Sequence, residues 1–351
     1  MTRQKKGTTW VYGVTLVFIA CLVASTRTSG QAGGNPFVDH SDNGETVHVL
    51  PTPASIRSPH DTQPTLAPPI PGLSVWSPSY GSGQLLSHGG GQIASAGFFA
   101  VYWNGSVANA GGKGVTSLNY ATLQAEISDF TKLFADNLNY SESDPGADFT
   151  LIQQYGTVTP ISSQALSPAL NSLGYFIDGQ PTQASISDSK IRSYLASLFQ
   201  KGAVPVNANV LYGVYFPAGM KITLNGGTSC RSFCGYHGHF TYNGQDIKYA
   251  SFPYTNCSGC LLAGFSVADM LTIVTSHEIR EAVTDPGLNA WYDSSGYEAD
   301  DKCAWHNLYQ MQNGSFWVQP EFSNGGTVTA SGFTATYPQL SPGTGGCVVA
   351  K

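Results

Sequence analysis

The chain has 351 residues, 41% of them apolar and only 11% charged, with a formal net charge of −6. That much apolar side chain can bury a core, which excludes a disordered protein, while the charged share falls well under the roughly 25% usual in soluble domains. Removing Arg3, Lys5 and Lys6 moves the charge from −6 to −9 and leaves no Lys/Arg cluster downstream, so nucleic acid and anionic membrane are poor partners.

In chain order, those three basic residues precede an apolar run from Trp10 to Ala24. This is the layout of a signal peptide over residues 1–25. The run falls short of the roughly 20 residues that span a bilayer, so a membrane anchor, or lipidation at Cys21, is a weaker alternative. Residues 26–90 are rich in Pro, Ser, Thr and Gly, as in "LPTPASIRSPHDTQPTLAPPIPG". They show neither periodicity and are expected to form a low-complexity linker or a cleaved pro-segment, with His40, His48, His60 and His88 solvated. A single domain is expected over 91–351.

Phe98 to Trp103 reads as a buried strand between Gly97 and Gly105. A helix is expected from about Leu118 to Asn137, with Leu123, Ile127, Phe130 and Phe134 on one stripe. "DFTLIQQYG" is a further strand candidate, Ser187 to Gln200 a second helix, and "NVLYGVYF" a strand closed by Pro217 and Gly219. This alternation predicts a layered α/β or α+β domain and not an all-β sandwich. Together with the helix that carries His277 and Glu281, the expected fold is an α+β, zincin-like domain with a mixed sheet and an active-site helix.

Beyond Cys21 the cysteines are Cys230, Cys234, Cys257, Cys260, Cys303 and Cys347. An even set in an exported chain reads as three disulfides, with a zinc site from CxxxC and CxxC as the alternative. Local pairs Cys230–Cys234 and Cys257–Cys260 are expected, together with Cys303–Cys347, which would fix Asp301 two residues away. Such small rings are strained, so crossed pairing of the first two couples stays open.

Residues 266–285 read as a third helix, with Ser266 as N-cap, Asp269 completing a capping box and Pro286 ending it. His277 and Glu281 are one turn apart on the stripe of Val267, Met270 and Val274, a spacing that lets two ligands reach one ion. Glu278 occupies the place of the glutamate that activates water in zinc peptidases. Glu298, Asp300 and Asp301 in "GYEADDKC" offer a third ligand; Asp301 lies 20 residues after Glu281. A structural ion pair is the competing reading of the same helix.

The blocks "SCRSFCGYHGHF", "YASFPYTNCSGC", "SVADMLTIVTSHEIREAVTDPGLNAWYD", "YEADDKCAW" and "SFWVQPEFSN", in that order, resemble the EXORDIUM-like, phosphate-induced family of secreted proteins. The resemblance is carried by motifs over roughly 205–350 and by pattern alone over 97–205. It implies that Glu281 is the family's own residue and that Glu298 and Asp301, but not Asp300, match its acidic positions. It also implies a role for His237 as ligand or proton donor, and none for His239 or His306.

Two functions follow as expectations. The first is a secreted zinc hydrolase, peptidase-like, with His277, Glu281, Asp301 and Glu298 around the metal and Glu278 and His237 catalytic, acting on an extracellular peptide or cell-wall component. Manganese or calcium is an alternative to zinc. The second is a non-catalytic extracellular binding or signalling protein with a structural metal site.

Overall fold

The structure is a computed structural model, described over residues 34–56, 64–67, 73–93, 96–112, 119–135, 154–155, 174–311, 316–330, 333–337 and 343–350. These belong to one unit, Gly33–Lys351. The expected signal peptide lies outside the described residues, as does His60. Among the described residues, no helix is long and apolar enough to cross a membrane.

A mixed seven-stranded sheet organises an α+β fold. Its strands are β1 (Val38–His40), β2 (Thr46–Pro51), β3 (Gly97–Tyr102), β4 (Tyr175–Ile177), β5 (Val210–Tyr215), β6 (Phe233–Tyr242) and β7 (Gln245–Phe252). The spatial order is β1-β2-β6-β7-β5-β3-β4. The half from β1 to β7 is antiparallel and the half from β7 to β4 is parallel. In the parallel half β3 and β5 are buried at every position, as continuous apolar runs covered on both faces should be. Each fully buried Phe, Val or Leu there contributes about 1.5–3 kcal/mol.

The expected strand at Phe98–Trp103 is β3, shifted by one residue, and "NVLYGVYF" is β5. Of the candidate strand "DFTLIQQYG" only Gln154 and Tyr155 are described. Among them runs no strand, and the Tyr155 hydroxyl donates to the Phe322 carbonyl.

Three helices flank the sheet: α1 (Leu123–Ala135), α2 (Asp188–Gln200) and α3 (Val267–Thr284). The α1 stripe of Leu123, Ile127, Phe130 and Phe134 is buried, and α1 packs against α3. Tyr236 and Tyr249 donate their hydroxyls to Asp188 at the start of α2. The neighbouring His237 faces Glu281 of α3. Adjacent residues of a strand point to opposite faces, so α2 and α3 cover opposite sides of the sheet.

Residues 34–56 correct the linker expectation. They form β1 and β2, and β2 pairs with β6 inside the sheet, burying Phe37, Val47, Val49 and Leu50. Residues 73–76 add a strand to the C-terminal Gly346–Ala350. The composition of 26–90 hid these elements because each is short and bounded by Pro and Gly.

The cysteines form three disulfides, Cys230–Cys257, Cys234–Cys260 and Cys303–Cys347. The third matches expectation; the local pairs do not, and the crossed arrangement holds instead. Cys234 lies in β6, where a rise of about 3.3 Å per residue carries it away from Cys230. The Cys257–Cys260 turn lies alongside, so Cys230 ahead of the strand and Cys234 within it each meet one cysteine from the turn. Gly259 permits that approach: a Cβ there would stand 2.0 Å from the Cys230 carbonyl oxygen.

Candidate metal centre

Helix α3 begins as its sequence dictates. Ser266 accepts from the Asp269 backbone N–H while the Asp269 carboxylate accepts from the Ser266 N–H, completing the capping box. An apolar stripe predicts one buried face, yet every residue from Ala268 to Thr284 is buried. The strands lie on one side, while α1 and the segment around Trp317–Val318 cover others. His277, Glu278 and Glu281 thus sit in the interior, each 0% exposed.

Two further elements close on this helix. His237 comes from β6, opposite the point where α3 crosses it. Gly235 allows the crossing to be close, since a Cβ there would lie 2.3 Å from Val274 Cγ1 and 3.0 Å from Glu278 Oε1. The second element is the acidic loop. Asp300 pairs with Arg280 at 2.7 Å, and Arg280 also donates to the Gln319 carbonyl. This ties the loop down and turns Asp301 the other way, its backbone N–H donating to Glu281 Oε1 at 2.9 Å. Asp301 Oδ2 accepts from the Glu298 N–H. Consecutive aspartates therefore divide between an ion pair and the site.

The side-chain atoms converge. His277 Nε2 lies 3.1 Å and His237 Nε2 3.6 Å from Glu281 Oε2. His237 Nε2 lies 3.5 Å from Glu298 Oε2, and His277 Nε2 lies 3.9 Å from Asp301 Oδ1. A tetrahedral ion with bonds of about 2.0–2.2 Å holds its ligand atoms about 3.3–3.6 Å apart. His237 Nδ1, His277 Nδ1, both oxygens of Glu278 and Asp301 Oδ1 are buried without a hydrogen-bond partner, while His237 Nε2, His277 Nε2, Glu281 Oε2 and the Glu298 oxygens meet only one another and His48. Buried polar atoms are almost always satisfied, and the groups His277, Glu278, Glu281 and His48, His237, Glu281, Glu298 could each hold a metal ion.

The electrostatics agree. Burial pushes Glu278 up to about 8, helped by Glu281 and Glu298 and opposed by the two imidazoles. Burial and then Glu281 and Glu298 drive Asp301 well above the carboxylate range. Burial also pushes Glu281 upward, but His277 and His237 outweigh it and hold the group below its usual range. His277 would fall on burial alone; Glu281 keeps it up at about 9. Without a cation the acids must share protons, and a bound cation would replace them.

The structure thus brings together Glu278, His237, His277, Glu281, Glu298 and Asp301. His239 lies apart, paired with Asp246 at 2.7 Å on an exposed part of β6. The His306 ring packs against Tyr80.

One residue in the centre was assigned elsewhere by its sequence. His48, expected to be solvated, is 7% exposed, and its Nδ1 lies 2.8 Å from Glu298 Oε1. The signal for its strand is Asn43-Gly44 just ahead of the β-branched Thr46, Val47 and Val49 of β2, a hairpin cue. Gly44 has φ 87°, the left-handed conformation such a turn requires.

No family model, curated protein or solved structure matches the chain.

Proposed function

We propose that this chain is a secreted, zinc-dependent hydrolase with a zincin-like domain, acting on an extracellular peptide or cell-wall component. The observation that carries this reading is the convergence of His277, Glu281, Glu298 and His237, with Asp301 3.9 Å from His277, as buried ligand atoms from a helix, a loop and a strand. The three disulfides support the extracellular setting.

A bound ion would supply a polarised water at neutral pH. Glu278 is placed to take a proton beside the ligands, and a cation there would draw its raised pKa back down. His237 serves as a ligand or as a donor to developing negative charge. Gly235 keeps Glu278 close to the sheet. Asp300 and Arg280 hold the loop that presents Asp301.

A second reading is a structural metal site in a non-catalytic binding protein. It is favoured by the 0% exposure of His237, His277, Glu278, Glu281, Glu298 and Asp301, since a substrate must reach a catalytic ion. Glu278→Gln separates the two. The hydrolase reading expects metal content and melting temperature to be kept while turnover of a casein or peptidoglycan panel falls at least about 100-fold. Wild-type protein that binds metal yet hydrolyses nothing in the panel favours the structural reading.

A further inference from the structure

The ligand atoms fall into two sets. His277, Glu278 and Glu281 form one, and His48, His237, Glu281 and Glu298 form the other; within each, one atom per residue lies within 4.8 Å of all the others. Glu281 belongs to both. Its Oε2 stands between imidazoles of different elements, 3.1 Å from His277 Nε2 on α3 and 3.6 Å from His237 Nε2 on β6.

Glu298 is likewise shared out within the second set. Its Oε1 lies 2.8 Å from His48 Nδ1 and its Oε2 3.5 Å from His237 Nε2. An ion seated on His277 and Glu281, with Glu278 beside them, would satisfy the first set alone. His48 Nδ1 and Glu298 Oε1 would then have only each other, at 2.8 Å, while both His237 ring nitrogens and Glu298 Oε2 would stay buried without a hydrogen-bond partner, a state buried polar groups rarely adopt.

We propose that the centre is dinuclear, with a second divalent cation held by His48, His237 and Glu298 and with Glu281 bridging the two ions. The proposal rests on the metal reading of His277 and Glu281 and extends it. Charge supports it. Glu278, Glu281, Glu298 and Asp301 bring four carboxylates into the interior, which two divalent ions neutralise. One ion leaves two negative charges or two protons there. Carboxylate-bridged ions about 3.5–4 Å apart are a recurrent hydrolytic device, clamping both the attacking and the leaving oxygen. The arrangement also gives β2 a chemical task, since His48 is the only ligand contributed by residues 34–56 among those described.

The test is metal stoichiometry of the full chain. The protein is stripped with chelator, dialysed against zinc, and its zinc counted by mass spectrometry; a parallel sample loaded with Mn²⁺ is examined by electron paramagnetic resonance. Two zinc ions per chain and an exchange-coupled manganese signal are expected, with His48→Gln and Glu298→Gln each falling to one ion. One zinc per chain, lost in His277→Ala, together with an isolated six-line manganese signal, overturns the dinuclear proposal and leaves the single-ion reading intact. No bound zinc in the wild type overturns both. The wild-type count and the manganese signal decide the matter even if a variant fails to fold.

Discussion

His48 and His237 stand directly opposite each other in the β2–β6 ladder, their ring centroids 5.8 Å apart. The register that pairs these strands also delivers two imidazoles to Glu298. Strand pairing and site assembly are therefore one event.

It follows that residues 34–56 are not dispensable. Phe37, Val47, Val49 and Leu50 are buried there, and at about 1.5–3 kcal/mol each their loss rivals the whole stability of a typical domain, about 5–15 kcal/mol. A chain beginning at residue 57 is expected to show no cooperative unfolding transition by circular dichroism. A cooperative melt like that of the longer chain would show that β2 is an accessory.

Gly235 sets the distance between β6 and α3. Gly235→Ala places a Cβ 2.3 Å from Val274 Cγ1, an overpacking expected to cost about 1–3 kcal/mol and to displace Glu278. Gly91→Ala is the control, because its Cβ meets nothing within 4 Å. Urea denaturation should separate the two; equal midpoints would contradict the packing described.

Glu126 on α1 offers a pH test away from the metal centre. It is 0% exposed with both oxygens unpartnered. Burial, then the charge of Asp269, pushes it from 4.5 up to about 8. The folded state thus keeps a proton that the unfolded chain releases, so this residue's contribution is fully present below about 4.5 and lost as pH rises towards 8. Glu126→Gln should match the wild type at pH 4 and exceed it by about 1–3 kcal/mol at pH 8. A pH-independent difference would contradict this.

The Cys303–Cys347 bridge closes a 44-residue separation, worth roughly 4 kcal/mol by loop-closure entropy. It also anchors the loop carrying Asp301. Replacing both cysteines by serine should lower the melting temperature and weaken zinc binding together. Unchanged zinc affinity in a folded variant would show that Asp301 is held by Arg280–Asp300 alone. Peptide mapping should recover Cys230 joined to Cys257, and Cys234 to Cys260.

The elements that were legible in the sequence are those whose local chemistry is decisive. The Ser266–Asp269 capping box fixes where α3 begins, and the spacing of His277 and Glu281 fixes which face they share. Asp301 was legible as acidic, but its separation from Asp300 depends on Arg280, a partner that no spacing reveals. His48 is hidden because Pro, Ser, Thr and Gly dominate residues 26–90, whereas the Asn43-Gly44 hairpin is a cue only a few residues wide. The crossed disulfides depend on the turn at Cys257–Cys260 docking beside β6, a long-range contact that opened only because Gly259 has no side chain.

Anomalous X-ray scattering at the zinc edge decides whether a metal ion sits between α3 and the acidic loop. Crystals of zinc-loaded protein should show a peak about 2.0–2.2 Å from His277 Nε2 and Glu281 Oε2. The absence of any peak there, with the two side chains hydrogen-bonded to each other instead, would contradict it.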